Sequence, residues 1–237
     1  MPDTLLPSAA AQGSFRPTLR GLYDLFFRPS RFFADLIASN VQDSPTVLIL
    51  IAWSMGLESM VDQLENQFTR VELGQSRGYW SMWSAWLFAS WTHFWLFMLL
   101  GAASWGLWRW YFGGWWYGVR LKWAGAREFD ALTPRLLNGY SSLISALPLT
   151  LLLIVETITF PSYPLARDSE ELVSYFLLAA GFWAIVVSYK GAMARCALIR
   201  WRALLWFLVL PWLVNVVRLG VLVWLYIAAS ERLAGSI

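Results

Sequence analysis

The sequence predicts an all-α membrane bundle of five transmembrane helices, with the N-terminus cytoplasmic and the C-terminus outside. Three observations predict it. First, 58% of the 237 residues are apolar and 14% are charged, with a mean hydropathy of +0.51. A soluble domain runs at about 45–50% apolar and about 25% charged, and its buried fraction rises only slowly with length. Second, five apolar stretches are each long enough to cross a hydrocarbon core of about 30 Å, which takes about 20 helical residues. Third, lysine and arginine are distributed unevenly between the connections. Disorder, a disulfide scaffold and a fibrous repeat are excluded by the same composition.

The spans run approximately over 45–64, 84–108, 136–160, 172–190 and 203–228. The first is the most polar, because Glu58 and Asp62 occupy its last turns. No alternating β-barrel pattern appears, and helices are the other backbone solution that lipid permits. Thirteen Lys and Arg residues fall before the first span, between the second and third, and between the fourth and fifth; four fall on the opposite side. By the positive-inside bias, the basic side is cytoplasmic. The expected organisation is therefore a cytoplasmic N-terminal segment over 1–44, one membrane domain over 45–228 and a short external tail over 229–237. Residues 1–20 hold only short apolar runs broken by Pro7, Gln12, Arg16 and Pro17, so no cleavable signal peptide is expected.

The net charge of +3 and pI near 9.2 belong to membrane-flanking segments, where they set topology, and no nucleic-acid partner is expected. The single cysteine, Cys196, can form no internal disulfide. Leu22/Phe26, Phe32/Leu36 and Phe33/Ile37 share faces at i, i+4, while Arg28 and Arg31 take another and Pro29 opens a second helix. These are either amphipathic helices in the cytoplasmic interface or cytosolic helices docked beneath the bundle. Trp110 to Tyr117 form an aromatic belt in which Gly113-Gly114 reads as a turn. Arg28, Arg31, Arg120, Lys122 and Arg127 are the expected contacts to lipid headgroups or a partner protein.

Ionisable residues at bilayer depth are costly and are functional candidates by default. They are Glu58, Asp62, His93, Glu156 and Arg218, with Asn215 as a neutral companion. From a helical rise of 1.5 Å per residue, Arg218 and His93 lie roughly 15 and 14 Å deep, Glu58 roughly 10 Å and Glu156 roughly 6 Å, all in the outer half. Arg218 is expected to pair with Glu58 or Glu156, with His93 and Asn215 nearby. Such a cluster is either an outward polar cavity for an ion, proton or polar headgroup, or a self-satisfied interhelical ion pair that fixes packing. His93, amid Trp91 and Trp95, also reads as a hydrogen-bonded packing residue. Catalytic and cofactor chemistry are not expected. One histidine without a nearby cysteine or serine elbow makes no triad, one His and one Cys make no metal site, and no glycine-rich phosphate loop follows a strand.

From Asp24 to Trp224 the chain resembles a bacterial member of the Yip family of Ypt/Rab-interacting membrane proteins. Asp24-Leu25-Phe26-Phe27-Arg28-Pro29 resembles the family's Asp-Leu-Tyr-Gly-Pro, with Phe for Tyr, no Gly and one extra residue. Gly114-Trp115-Trp116-Tyr117-Gly118 through Gly125 is similar to the glycine-containing segment before the third span. Asn138-Gly139-Tyr140-Ser141 with Pro148 resembles the Tyr-Gly-Tyr-and-Pro signature, and Tyr189-Lys190-Gly191-Ala192 the Lys-Ala step after the fourth span. The resemblance implies a non-enzymatic membrane scaffold or adaptor that contacts lipid headgroups and a protein partner on its cytoplasmic face. The other expectation is a small transporter or permease component with an outward cavity lined by Glu58, His93, Glu156 and Arg218.

Overall fold

The computed structural model describes residues 19–38, 45–72, 78–167, 169 and 171–234. Most of the expected N-terminal segment and the last residues of the expected tail, together with Arg16 and Arg77 of the charge pattern, lie outside the described residues. Among those described the chain is helical throughout, without strands. Helices α1 (Leu19–Phe27) and α2 (Pro29–Ala38) precede α3 (Pro45–Glu72), α4 (Gly78–Leu87) and α5 (Trp91–Trp108). A π-helical segment, Arg109–Gly113, carries α5 directly into α6 (Gly114–Trp123). Then come α7 (Thr133–Thr159), the short α8 (Tyr163–Arg167), α9 (Glu171–Arg195) and α10 (Arg200–Leu204). A second π-helical segment, Leu205–Val209, leads into α11 (Leu210–Ala234).

Four helical stretches are long and apolar enough to cross a membrane: Pro45–Phe68, Thr133–Thr159, Tyr175–Arg195 and Arg200–Val221. They make this an integral membrane protein. The stretch read from sequence as the second span, 84–108, is not one helix. It breaks after Leu87, and Ser90 caps a new start, its side chain accepting from the His93 N–H at 3.3 Å. The helix that starts there, α5, is 18 residues or roughly 27 Å long, and its four tryptophans and His93 lower its hydropathy. Gly113-Gly114 is not a turn either. Both glycines lie within continuous helix, and a Cβ on Gly113 would stand 2.8 Å from the Asn138 amide, while one on Gly114 would stand 3.1 Å from the Arg135 Cα. They are there for close packing against α7.

The core forms two apolar clusters along the bundle. At the Pro45 end, Leu25, Phe32 and Phe33 of α1–α2 pack with Ile51 and Met55 of α3, Tyr117 and Leu121 of α6, Tyr140 and Ile144 of α7, and Val187 of α9. The amphipathic pair is thus docked beneath the bundle: the Trp183 indole donates to the Phe26 carbonyl at 2.8 Å, and Phe33 abuts Gly191. At the other end, Leu57, Met60 and Leu64 of α3 pack with Phe94 and Met98 of α5, Leu149 and Leu153 of α7, and Tyr163 of α8. Helix α11 is loosely packed, with every residue from Trp212 to Val221 exposed.

The tightest joint is between α3 and α5. A Cβ on Gly56 would collide with the Ala102 carbonyl and approach the Gly106 nitrogen to 2.6 Å, while one on Gly106 would collide with the Ala52 carbonyl. Ala52/Gly56 and Ala102/Gly106 each present small residues four apart, the pattern by which apolar helices bring their backbones together in lipid. Gly56→Val or Gly106→Val should therefore destabilise the protein by on the order of 1–3 kcal/mol or more, read as a lowered melting temperature in detergent. Gly220→Ala, where a Cβ meets nothing within 4 Å, should be neutral or slightly stabilising.

Outside the spans, Asp130 accepts the Thr133 backbone N–H at 2.6 Å and satisfies one of the orphan donors at the start of α7, where Pro134 comes next. Hydrogen bonds from Thr133 hold the Asp130 carboxyl below its ordinary pKa. A carboxylate with a depressed folded pKa contributes stability that is present above its unfolded pKa and lost as pH falls through the folded one. Asp130→Ala should cost about 1 kcal/mol at neutral pH, and the difference from the parent should shrink on acidification below pH 4 in a pH series of melting curves.

Candidate functional site

Glu58, Asp62 and Glu65 follow one another at spacings of four and three on α3, so one face of its membrane-length stretch carries three carboxylates. Each is met by an arginine from a different element. The Arg109 guanidinium donates through Nη1 to Glu58 Oε2 at 2.8 Å, to Ser59 Oγ at 3.0 Å and to the Met55 carbonyl at 3.4 Å. Ser145 of α7 donates to the other Glu58 oxygen. The pair lies between the two apolar clusters, and Glu58 is the more enclosed partner, its side chain 17% exposed. At the Glu72 end, Arg167 Nε and the Tyr163 hydroxyl donate to the two Glu65 oxygens, both at 2.9 Å, and the guanidinium lies 4.5 Å from the Phe68 ring centre. Burial, and then the Glu65 charge, push the Tyr163 hydroxyl pKa up, so it stays a donor at neutral pH.

Asp62 is held differently. Its partner is Arg218 of α11 at 3.9 Å, longer than a hydrogen bond, and both side chains are about half exposed. They face a cavity of about 460 Å³ between α3, α7, α9 and α11. Its polar walls are Glu58, Asp62, Glu65, Ser145, Asn215 and Arg218; its apolar walls are mainly α9 residues, with Leu149 of α7 and Leu219 of α11. The Asn215 amide donates to the Pro211 carbonyl at 3.0 Å, which leaves its oxygen as an acceptor on the wall.

Of the residues expected to cluster, Glu58, Asn215 and Arg218 line this cavity, and His93 and Glu156 do not. Arg218 meets Asp62 rather than Glu58 or Glu156, because the nearer Arg109 occupies Glu58. His93 stacks on Trp86 at 4.7 Å, and its Nδ1 lies 3.1 Å from the Trp86 carbonyl, which can only accept. That makes it a packing residue of the α4–α5 corner. Glu156 is buried on the α7 face that carries Leu149 and Leu153, and its Oε1 has no hydrogen-bond partner among the described residues. Of the basic residues expected at the cytoplasmic face, Arg28, Arg31, Lys122 and Arg127 are exposed. Arg120 turns inward: its Nε donates to the Trp206 carbonyl of the second π-helical segment at 3.1 Å, and the guanidinium sits 4.3 Å from the Phe207 ring centre. No group of three or more His, Cys, Asp or Glu that could hold a metal occurs among the described residues.

Arg109, Ser145, Arg167 and Tyr163 were not legible as site residues. The i, i+4 carboxylates on α3 were a usable signal that several cations must converge there. A test of the assignment is a double-mutant cycle in detergent. Glu58→Gln and Arg109→Gln should each cost about 1.5–3 kcal/mol and couple strongly. Glu58→Gln and Arg218→Gln should be additive, and Arg218→Gln alone should cost less than about 1 kcal/mol.

No protein-family model matches the chain, and neither a curated protein nor a solved structure is significantly similar to it.

Proposed function

We propose that the protein is a five-span integral membrane protein of a bacterial cytoplasmic membrane, N-terminus in and C-terminus out, that binds a polar or charged group in the α3–α7–α9–α11 cavity as a small transporter or permease component. The observation that carries this reading is the Asp62–Arg218 arrangement: an ion pair on helices apolar enough to span lipid, half exposed beside a cavity of about 460 Å³ and too far apart to hydrogen-bond directly. A purely structural ion pair would be closed and hydrogen-bonded, as Glu58–Arg109 is. The fifth crossing is α5, which runs antiparallel to α3 along the small-residue joint. The acids of α3 lie toward the end that this topology makes external, so the cavity opens outward.

A second reading is a non-enzymatic scaffold or adaptor related to the Yip family, with lipids and a protein partner at the cytoplasmic face. It is supported by the exposed Tyr23, Phe27, Arg28 and Arg31 on α1–α2, and by the exposed Lys122 and Arg127 near α6.

The cavity reading is tested by thiol accessibility. Gly181 lines the cavity and has open space where a Cβ would stand, so Gly181→Cys fits. Burial raises the thiol pKa of Cys196, which makes it a slow competitor. A membrane-impermeant maleimide added from outside should label Gly181→Cys at least tenfold faster than Leu151→Cys, on the exposed outer face of α7. Equal, slow labelling at both sites means a dry cavity and removes the transporter reading. The scaffold reading predicts instead that charge removal at Arg28 and Arg31 lowers recovery of co-purifying partners.

A further inference from the structure

If the polar cavity is a binding site, as proposed for the transporter reading on which this inference rests, its chemistry points to a narrower class of occupant. We propose that it binds a zwitterion bearing a primary ammonium and a phosphate, presented as the headgroup of a phosphatidylethanolamine-type lipid that enters from the bilayer with its chains against α9.

Net charge comes first. Glu58, Asp62 and Glu65 are balanced by Arg109, Arg167 and Arg218, so the charged set around the cavity sums to zero. At bilayer depth an unbalanced charge is expensive. An anionic or cationic occupant would leave the set unbalanced, whereas a zwitterion leaves it neutral.

Geometry fixes which zwitterion. The 3.9 Å gap between Arg218 Nη1 and Asp62 Oδ2 is too long for a hydrogen bond, and each head is half exposed to the cavity. Arg218 presents a planar fork suited to phosphate oxygens. Asp62, with the Asn215 oxygen across the cavity, accepts N–H donors, which a primary ammonium has and a quaternary one lacks. A choline head would call for an aromatic cage, and Phe182 is the single aromatic side chain among the described residues of the lining.

The apolar walls fix the source. Leu149, Leu177, Leu178, Phe182 and Leu219 border the charged end and would serve no purpose for a small soluble zwitterion, but they suit acyl chains.

The test uses the full chain, purified in mild detergent, stripped of lipid and measured by native mass spectrometry. Phosphatidylethanolamine, phosphatidylcholine and phosphatidylglycerol are added at equal concentration. The ethanolamine lipid should form a one-to-one adduct at least fivefold more abundant than either competitor. Asp62→Asn and Arg218→Gln should each reduce it at least fivefold while leaving a monodisperse, cooperatively melting protein. Leu178→Trp, which fills the apolar wall and alters no charge, should reduce it similarly. Equal binding of phosphatidylcholine or phosphatidylglycerol, or an adduct unchanged by these variants, overturns the proposal. So does full displacement of the lipid by millimolar O-phosphoethanolamine, which would make the ligand soluble. Rapid labelling of Gly181→Cys without lipid preference leaves the hydrated cavity intact and removes only this occupant, whereas slow labelling removes both.

Discussion

The structure depends on one constraint: the carboxylates along one face of α3 must find their cations inside the protein. The apolar span of α3 carries three, and lipid offers no solvent to replace a missing partner. Arg109 at the foot of α5, Arg167 on α8 and Arg218 on α11 come from three widely separated stretches of chain, yet all converge on one face of α3. The fold can be described as the arrangement that brings them there. Helix α3 is the axis, and the other helices are placed by what they bring to it.

Close backbone approach makes this possible. The guanidinium of Arg109 can reach the Met55 carbonyl and Glu58 because Gly56 and Gly106 let α3 and α5 meet without intervening side chains. The π-helical segment that begins at Arg109 turns the succeeding residues, so Trp110 enters the core while Tyr111 and Phe112 stay outside. The second such segment leaves the Trp206 carbonyl to Arg120. In both places an irregular helix and an arginine occur together, in keeping with the tendency of π-bulges to mark specialised positions.

Much of the architecture was legible because its signals are local. Apolar run length placed α3, α7, α9 and α11, and i, i+4 spacing with Pro29 placed α1 and α2. The break at Ser90 was not legible, because tryptophan-rich sequence on both sides of it looks like uninterrupted membrane helix. Gly113-Gly114 looked like a turn because glycine is read first as a breaker, and only the facing Asn138 and Arg135 of α7 show it as a contact residue. The cluster of polar residues was anticipated, but its pairings were not. Depth along each span is a one-dimensional estimate; it cannot say which faces of two helices meet, and so it grouped His93 and Glu156 with residues they do not touch. Arg109 was counted as a topology charge because it comes after the last apolar residues of α5, although a long side chain can reach back along a neighbouring helix.

The aromatics that run from the end of α5 to the second π-helical segment have an optical consequence. Trp108, Phe112, Trp115, Trp116, Trp123 and Trp206 form a chain of rings with successive centres between 4.4 and 6.3 Å apart. Excitation absorbed by one indole passes readily to indoles at such separations, as along Trp115, Trp116, Trp123 and Trp206, whereas Phe112 absorbs at higher energy and accepts none. Five of the 17 tryptophans therefore share one ledge at the Pro45 end of the bundle, while no indole is among the described residues that line the cavity beside Asp62 and Arg218. Part of the intrinsic fluorescence will track the surroundings of that ledge, and Trp212 of α11, its ring 4.9 Å from that of the wall residue Phe182, is an indole already placed to report on what occupies the cavity.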